Sequence, residues 1–343
     1  MRAEIAARET NMSIRIGING FGRIGRYLAR LLANESGYDL AVVNARVDNA
    51  QLAHLLKYDS VHGQFSGDVE ANETGFTVNG SPVKVTRDAP GEWTWGAWDV
   101  DIVIESTGAF RDRLSCEQMI DCGCSKVIVS APGSDCDATI VMGVNDHQLK
   151  PSDRIVSNAS CTTNCLAPVA KVLHETFGIE RGLMTTIHSY TMSQRILDGT
   201  HKDLRRARAG AVNILPTTTG AARAVTQVIP QLEGKLDGMA VRVPTPNVSL
   251  VDFVADVSLD VTAADVNAAL RSASEGALLD VMGYTELPLV STDYIGSTYG
   301  GVVDGLCTSV MSSRMVKCII WYDNESSFTN QLLRLIRKVG ATL

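Results

Sequence analysis

The chain has 343 residues and a formal net charge of −7, with 45% hydrophobic and 20% charged residues. That length accommodates two domains of roughly 100–200 residues each, the composition is that of an ordinary globular protein, and the acidic balance argues against a surface built for nucleic acid or an anionic membrane. No apolar run reaches the ~18 residues a bilayer span needs, and the opening "MRAEIAARETNM" lacks the apolar core of a secretory signal, so a polar N-terminal extension and a cytoplasmic location are expected.

"IRIGINGFGRIGRYLARLLA" starts with a short apolar run, Ile14 to Ile18, passes through a glycine turn, and then spaces Ile24, Leu28, Leu31 and Leu32 as on a helix. "YDLAVVNA" predicts the next buried strand and "VDNAQLAHLLKYD" a short helix. "FTVNG" and "VKVT" alternate around an Asn79-Gly80 turn. "DVDIVIEST", "SKVIVSAP" and "DATIVMGVN" predict the third, fourth and fifth apolar strands. Strands alternating with helices call for a parallel sheet wound on both faces. After about residue 160 the pattern changes. "GLMTTIHSYT", "GMAVRVPTPNVSLVDFVADVSL" and "MVKCIIWYDNE" are long β-rich runs. "CLAPVAKVLHETF", "TAADVNAALRSASEG" and "FTNQLLRLIRKVG" are apolar-periodic helices. The fold class expected is an α/β Rossmann dinucleotide-binding domain over residues 13–160, completed by a C-terminal helix at 325–343, plus an α+β catalytic domain with a mostly antiparallel sheet over 161–324.

"GFGRIG" sets Gly20, Gly22 and Gly25 in the pattern G-x-G-x-x-G, after a strand and at the opening of a helix. In that context the glycines allow a tight turn and close approach to a pyrophosphate, whose charge meets the helix N-terminus. An acidic residue ~20 positions on normally binds the ribose hydroxyls. Here that spot falls at Asn44-Ala45-Arg46; the acid is missing, Arg46 stands beside the gap, and Asp48 follows two residues later.

The cysteines are Cys116, Cys122, Cys124, Cys136, Cys161, Cys165, Cys307 and Cys318. In a reducing compartment they are thiols, and neither "CGC" nor any Cys/His quartet has zinc-ligand spacing, so no metal is expected. Cys161 and Cys165 lie four apart in "SNASCTTNC", ahead of an apolar-periodic helix. Cys161 thus falls near a helix N-terminus, where the dipole favours a thiolate nucleophile. Cys165 falls inside the first turns and packs toward the core. The longest basic cluster, "HKDLRRAR" from His201 to Arg208, reads as a solvated face or a local anion site.

"GINGFGRIGR", "KYDSVHG", "ESTGAF", "SNASCTTNCLAP", "TTIHSYT", "PTTTGAA", "RVPTPNVSLVD" and "WYDNE" together resemble the glyceraldehyde-3-phosphate dehydrogenases of the phosphorylating type, from about Ile14 to the last helix. The resemblance implies that Cys161 attacks the aldehyde and that His188 is the base. Both roles fit the chemistry of a thiol beside an imidazole. It implies oxidation of glyceraldehyde 3-phosphate through a thiohemiacetal and a thioester, which inorganic phosphate cleaves. Thr191 and Arg242 would hold the substrate phosphate. Ser160, Thr162, Arg206, Thr219 and Gly220 would serve the attacking phosphate, while Arg205 and Arg208 are left as structural. Gly20, Gly22, Arg23, Ile24, Gly25, Ala45, Arg46, Arg87, Thr107, Ser130 and Asn324 would contact the dinucleotide, with Asn324 orienting the nicotinamide amide. A homotetramer is implied as well, with no nucleic-acid or membrane partner.

Three departures from the family pattern stand out. Phe328 occupies a position usually held by tyrosine, and Ser327 one usually held by glycine. Members selective for NAD commonly carry Leu-Pro where this chain has Gly199 and Thr200, in a loop that approaches a neighbouring subunit's cofactor. With Ala45 and Arg46 this points to use of NADP or NAD with a preference for NADP, since the acid that repels a 2′-phosphate is gone and Arg46 would pair with it. The opposing reading makes Arg46 a solvated residue and Asp48 the substitute acid. Two rival functions are erythrose-4-phosphate dehydrogenase, with the same chemistry on a longer sugar, and a non-catalytic redox or binding protein on the same fold.

Overall fold

The structure, a computed structural model, describes residues 13–343; the polar extension expected over residues 1–12 lies outside the described residues. The chain divides into two compact units. The first takes the chain up to Thr139, Leu149–Asn158 and Leu332–Leu343; the second takes Ile140–Gln148 and Ala159–Gln331.

The first unit is built on a nine-stranded sheet. Its strands are β1 (Ile14–Asn19), β2 (Tyr38–Asn44), β3 (Val69–Asn72), β4 (Gly75–Val78), β5 (Ser81–Thr86), β6 (Ile102–Glu105), β7 (Lys126–Val129), β8 (Ala138–Thr139) and β9 (Ile155–Ser157). Their order is β3-β4-β5-β2-β1-β6-β7-β9-β8. From β5 to β8 every pairing is parallel, and β3-β4-β5 forms an antiparallel edge. The helices are α1 (Arg23–Leu32), α2 (Asn49–Lys57) and α3 (Arg113–Asp121). α1 buries Leu28, Ala29 and Leu32, while Ile24 and Leu31, spaced with them in the sequence, are partly exposed. α2 and α3 start at side-chain caps: Asp48 accepts from Gln51 N, and Asp112 from Ser115 N.

One expected strand is corrected. "DATIVMGVN" supplies only the two residues of β8. Val141 and Val144 are buried in the second unit's core instead, and Asn145 Oδ1 accepts from Val141 N within a turn. An apolar run of this length does not distinguish a strand from a buried irregular segment. The sheet takes its next full partner from "RIVS", as β9.

The second unit holds a seven-stranded, mostly antiparallel sheet. Its strands are β10 (Ile179–Ser189), β11 (Leu215–Thr218), β12 (Leu236–Val243), β13 (Ser249–Val257), β14 (Met282–Thr285), β15 (Gly301–Met311) and β16 (Met315–Tyr322), in the order β11-β12-β10-β13-β16-β15-β14. The run "GMAVRVPTPNVSLVDFVADVSL" is split into β12 and β13, which flank β10 rather than pair with each other. Pro244 and Pro246 lie in the break, and neither carries an N–H for a ladder. The helices are α4 (Cys161–Phe177), α5 (Ala221–Val228), α6 (Ala263–Glu275) and α7 (Ser326–Gly340), the last running on into residues of the first unit. α6 opens with a capping box between Thr262 and Asp265. α4 shares one core with the sheet: Cys165, Leu166, Val169 and Leu173 are buried together with Met184, Phe253 and Ile320.

Candidate active site

Alternation along β10 sends Met184, Thr186 and His188 to the same buried face, which is the face α4 covers. The start of α4 is set by its local sequence. Ala159 sits in the left-handed region at φ 56°, Ser160 is extended, and Ser160 Oγ accepts from Thr163 N at 3.1 Å. Cys161 is therefore the first helical residue. The N–H groups of a first turn have no acceptor within the helix, and the dipole there is positive.

Cys161 Sγ lies 3.7 Å from His188 Nε2 and 4.0 Å from Thr162 Oγ1. Cys161 is partly exposed, while His188 is buried. Burial pushes the Cys161 thiol up, and the charge of Arg242 draws it back down. Burial, reinforced by Arg242, pulls His188 down to about 3. Both shifts favour the uncharged forms, a thiol facing a neutral imidazole. The other ring nitrogen has two neighbours: Nδ1 lies 2.7 Å from Ser189 O and 2.5 Å from Arg242 Nη1. With Nδ1–H donating to the carbonyl, Nε2 is bare and is a base toward the thiol. With Arg242 donating to Nδ1, Nε2 carries the hydrogen instead. Cys165 differs in every respect: it is fully buried, its Sγ is 3.8 Å from Ile320 O, and burial pushes its thiol far above the ordinary range.

The sequence-predicted anion groups are distributed as follows. Arg242, on β12, also donates to Ser189 O at 3.0 Å, and no carboxylate pairs with it among the described residues. The charge of Arg206 is felt at Arg242. Arg206 is tied to the neighbouring strand by Nε donating to Thr217 Oγ1 at 3.0 Å. Arg206 also has Asp203 Oδ2 at 3.5 Å, so of these two mutually felt guanidiniums only Arg242 lacks an acid and is left to an anion. Thr219 and Gly220 precede α5, where Thr219 Oγ1 accepts from Ala221 N at 3.2 Å. Thr191 Oγ1 meets Ser193 Oγ at 2.9 Å. Thr162 turns its hydroxyl inward, 2.9 Å from the Tyr322 hydroxyl, which leaves its backbone N–H as the group at the helix start. Arg208 pairs with Asp198 at 2.6 Å.

Tyr322 was not among the residues singled out from sequence. Its hydroxyl joins Thr162 to Thr186, at 2.9 and 2.8 Å, and its ring stands edge-on to His188 at 5.9 Å. The signal was present in "KCIIWY", whose alternation puts Cys318, Ile320 and Tyr322 on one buried face.

In the first unit the glycine turn fits a dinucleotide. Gly20 has φ +93°, and a side chain there would meet Thr107 N at 2.8 Å; one at Gly25 would meet Gly20 O at 2.4 Å. At Gly22 a side chain would project into open space, so its absence clears room in front of the N-terminus of α1 rather than easing packing. Arg23 sends its guanidinium to Asp59, with Nη2 3.0 Å from Oδ1, so its backbone is the part left at the turn. Ile24 is partly exposed on the same first turn of α1. Buried Glu105 accepts from Thr107 N at 2.8 Å and from Asn19 Nδ2 at 2.6 Å. Asn44 Nδ2 in turn donates to Asn19 Oδ1 at 2.9 Å. Ser130 Oγ donates to Glu105 O at 2.9 Å. Arg87 donates to Val47 O and Asn49 Oδ1, at 2.8 and 2.9 Å, beside the segment that carries Ala45 and Arg46.

Residues 14–113 match the family profile described as the NAD-binding domain of glyceraldehyde 3-phosphate dehydrogenase, and residues 160–324 match its C-terminal domain. The glyceraldehyde-3-phosphate dehydrogenase of Geobacillus stearothermophilus is 54% identical over 96% of this chain and 99% of its own. The chain belongs to the glyceraldehyde-3-phosphate dehydrogenase family. Bacillus subtilis (strain 168) glyceraldehyde-3-phosphate dehydrogenase 1 is 52% identical over 94% of this chain and 97% of its own, and the Trichormus variabilis enzyme numbered 2 is 50% identical over 95% and 98%. Against the family pattern, Phe328 is buried. The Ser327 hydroxyl accepts from Asp323 N at 3.1 Å and donates to Ser297 O at 3.2 Å. Among the described residues no group of acids, histidines and cysteines is arranged to hold a metal ion, and no helix is long and apolar enough to cross a membrane.

Proposed function

We propose that this chain catalyses the reversible, phosphorylating oxidation of D-glyceraldehyde 3-phosphate to 1,3-bisphosphoglycerate, with Cys161 as nucleophile and His188 as general base. One observation carries the reading: the first-turn sulfur of α4 lies 3.7 Å from a buried imidazole, in a chain 54% identical to a named glyceraldehyde-3-phosphate dehydrogenase. His188 Nε2 takes the thiol proton, and the sulfur attacks the aldehyde carbon. The imidazolium returns the proton to the new alkoxide, giving a thiohemiacetal. A bound nicotinamide dinucleotide supplies the hydride acceptor. His188 takes the hydroxyl proton as the hydride leaves, so a thioester remains on Cys161. Inorganic phosphate then attacks the thioester carbon and expels the Cys161 thiolate. The Cys161 N–H, unpaired within its helix, donates to the oxyanion. Arg242 and Thr191 hold the substrate phosphate. Arg206, Thr219, Gly220, Ser160 and Thr162 hold the attacking one. Support for the anion roles is the pair of neighbouring guanidiniums, of which Arg242 has no acid of its own.

The dinucleotide is NADP in preference to NAD. Asp48 is already spent as the cap of α2, accepting from Gln51 N at 2.9 Å, which argues against it as a substitute ribose acid. Arg46 is exposed beside Ala45, available to a 2′-phosphate. Gly199 and Thr200 are exposed too, with Thr200 O accepting from Arg195 at 2.6 Å. Self-association into a homotetramer in the cytoplasm belongs to the same reading. It is supported by apolar side chains left exposed on the second unit, among them Leu183, Ile196, Leu197 and Leu204. Neither an erythrose 4-phosphate substrate nor a non-catalytic role is favoured, the named relatives being glyceraldehyde-3-phosphate dehydrogenases.

The test is substitution of the two cysteines. Cys161→Ser is expected to abolish aldehyde oxidation while dinucleotide binding persists, because a hydroxyl scarcely ionises beside His188. Cys165→Ser is expected to keep substantial activity at a stability loss of about 1 kcal/mol for burying a polar atom. An inactive Cys165→Ser beside an active Cys161→Ser overturns the assignment.

A further inference from the structure

Asn324 lies just past the end of β16, and its carboxamide is held by two serines from other strands. Its Oδ1 accepts from Ser189 Oγ at 2.7 Å and from Ser249 Oγ at 3.1 Å. Ser249 Oγ accepts from Ser189 N at 3.1 Å, which ties the two serines to each other. Each hydroxyl has one hydrogen to give, and both are spent on Oδ1. A carboxamide oxygen has two lone pairs, so it has no further capacity of note. Turning the group over would make both hydroxyls accept from Nδ2; the Ser189 hydrogen could then turn to Ser249 Oγ at 3.4 Å, but the Ser249 hydrogen would lose its acceptor. What Asn324 has left is Nδ2, a donor with no acceptor among the described residues, on a side chain that is only half-buried where both serines are fully buried.

The backbone supports this arrangement at a cost. Val248, immediately before Ser249, is buried and has φ +66°. A β-branched residue in the left-handed region is a true outlier, held only where its surroundings fix it. The kink ends the Pro-rich connection and starts β13 at Ser249, whose hydroxyl then meets Ser189 and Asn324.

We propose that Ser189 and Ser249 are positioning residues that lock the Asn324 carboxamide as a donor only, so that the site selects a dinucleotide whose pyridine ring carries a carbonyl acceptor. This rests on the reading above that Asn324 faces the nicotinamide amide. The carbonyl oxygen of that amide is then required, and its NH2 is not.

The experiment measures dissociation constants by quenching of tryptophan fluorescence for NAD, for 3-acetylpyridine adenine dinucleotide (carbonyl kept, NH2 replaced by methyl), for pyridine adenine dinucleotide (carbonyl absent) and for ADP-ribose. In the wild type the acetyl analogue is expected within about threefold of NAD and the pyridine analogue about tenfold weaker, the scale of one hydrogen bond. In the Ser189→Ala, Ser249→Ala double variant that tenfold gap is expected to fall to about threefold or less, with ADP-ribose binding unchanged. Ser249→Thr keeps the hydroxyl and should keep the gap. Ser249→Ala alone should give an intermediate value, and it carries the test if the double variant does not fold. An acetyl analogue that binds as weakly as the pyridine one, or a full gap in the alanine variants, overturns the proposal. Failure of the wild type to bind ADP-ribose would instead reject the dinucleotide reading itself.

Discussion

Cys161 and Cys165 carry the same side chain four residues apart, and only their surroundings separate them. Cys161 opens α4 beside an imidazole and within reach of a guanidinium's charge. Cys165 is one turn further in, sealed against Ile320 with no cation near it. Because burial raises the Cys161 thiol and Arg242 is the largest influence lowering it, removing the guanidinium leaves the upward push less opposed. In Arg242→Ala the iodoacetamide reaction of Cys161, followed against pH, is therefore expected to move to higher pH, with a slower rate at pH 7. His188→Asn removes the general base, and turnover is expected to fall by roughly 10²–10⁴-fold. An unchanged Arg242→Ala profile would mean that the guanidinium does not act on the thiol. The nucleophile was legible from its place before an apolar-periodic helix. Its partners were not: His188 lies 27 residues from Cys161 and Arg242 lies 54 from His188, separations that no local pattern encodes.

At the scale of the element, α4 places the sulfur, and the packing beneath it is tight. Pro168 has no N–H to offer Asn164 O, and Gly300 approaches that carbonyl so closely that a side chain there would lie 2.8 Å away. At Gly301 a side chain would come within 2.8 Å of Ile320 Cγ2 and 3.0 Å of Cys165 Sγ. Gly301→Ala is thus expected to destabilise the protein by about 1–3 kcal/mol, the usual cost of overpacking a filled core. A lower urea midpoint at unchanged m-value checks it, and an unaltered midpoint would show that α4 and β15 yield freely. Both long helices α4 and α7 were legible because their apolar spacing runs over several turns. β15 was not anticipated: Gly305 interrupts it, and its pairing with β16 shifts register between Asp304 and Ser309, so no clean alternation reaches the sequence. β8 fails for the opposite reason, since its apolar run serves a different core.

Across the whole molecule, fold class and family were readable because several long motifs recur in order, from the glycine turn to "WYDNE". Cofactor choice hangs on fewer residues. The missing acid at Ala45 was visible in the sequence, whereas the bond from Gln51 N that occupies Asp48 as a helix cap came only with the structure. Catalytic efficiency with NADP is expected to exceed that with NAD. Ala45→Asp with Arg46→Leu should swing the ratio toward NAD by roughly 2–4 kcal/mol, one or two charge-assisted contacts. A wild type favouring NAD by more than about tenfold, or 1.4 kcal/mol, would contradict it. The covalent route itself is tested most directly by trapping. The protein is mixed with glyceraldehyde 3-phosphate and oxidised dinucleotide in phosphate-free buffer, quenched in acid, digested and mapped by mass spectrometry. An acyl group on the Cys161 peptide, released as acyl phosphate when inorganic phosphate is added before the quench, is the expected result. An acyl group on Cys165, or none on any cysteine while reduced dinucleotide still forms, would contradict the mechanism.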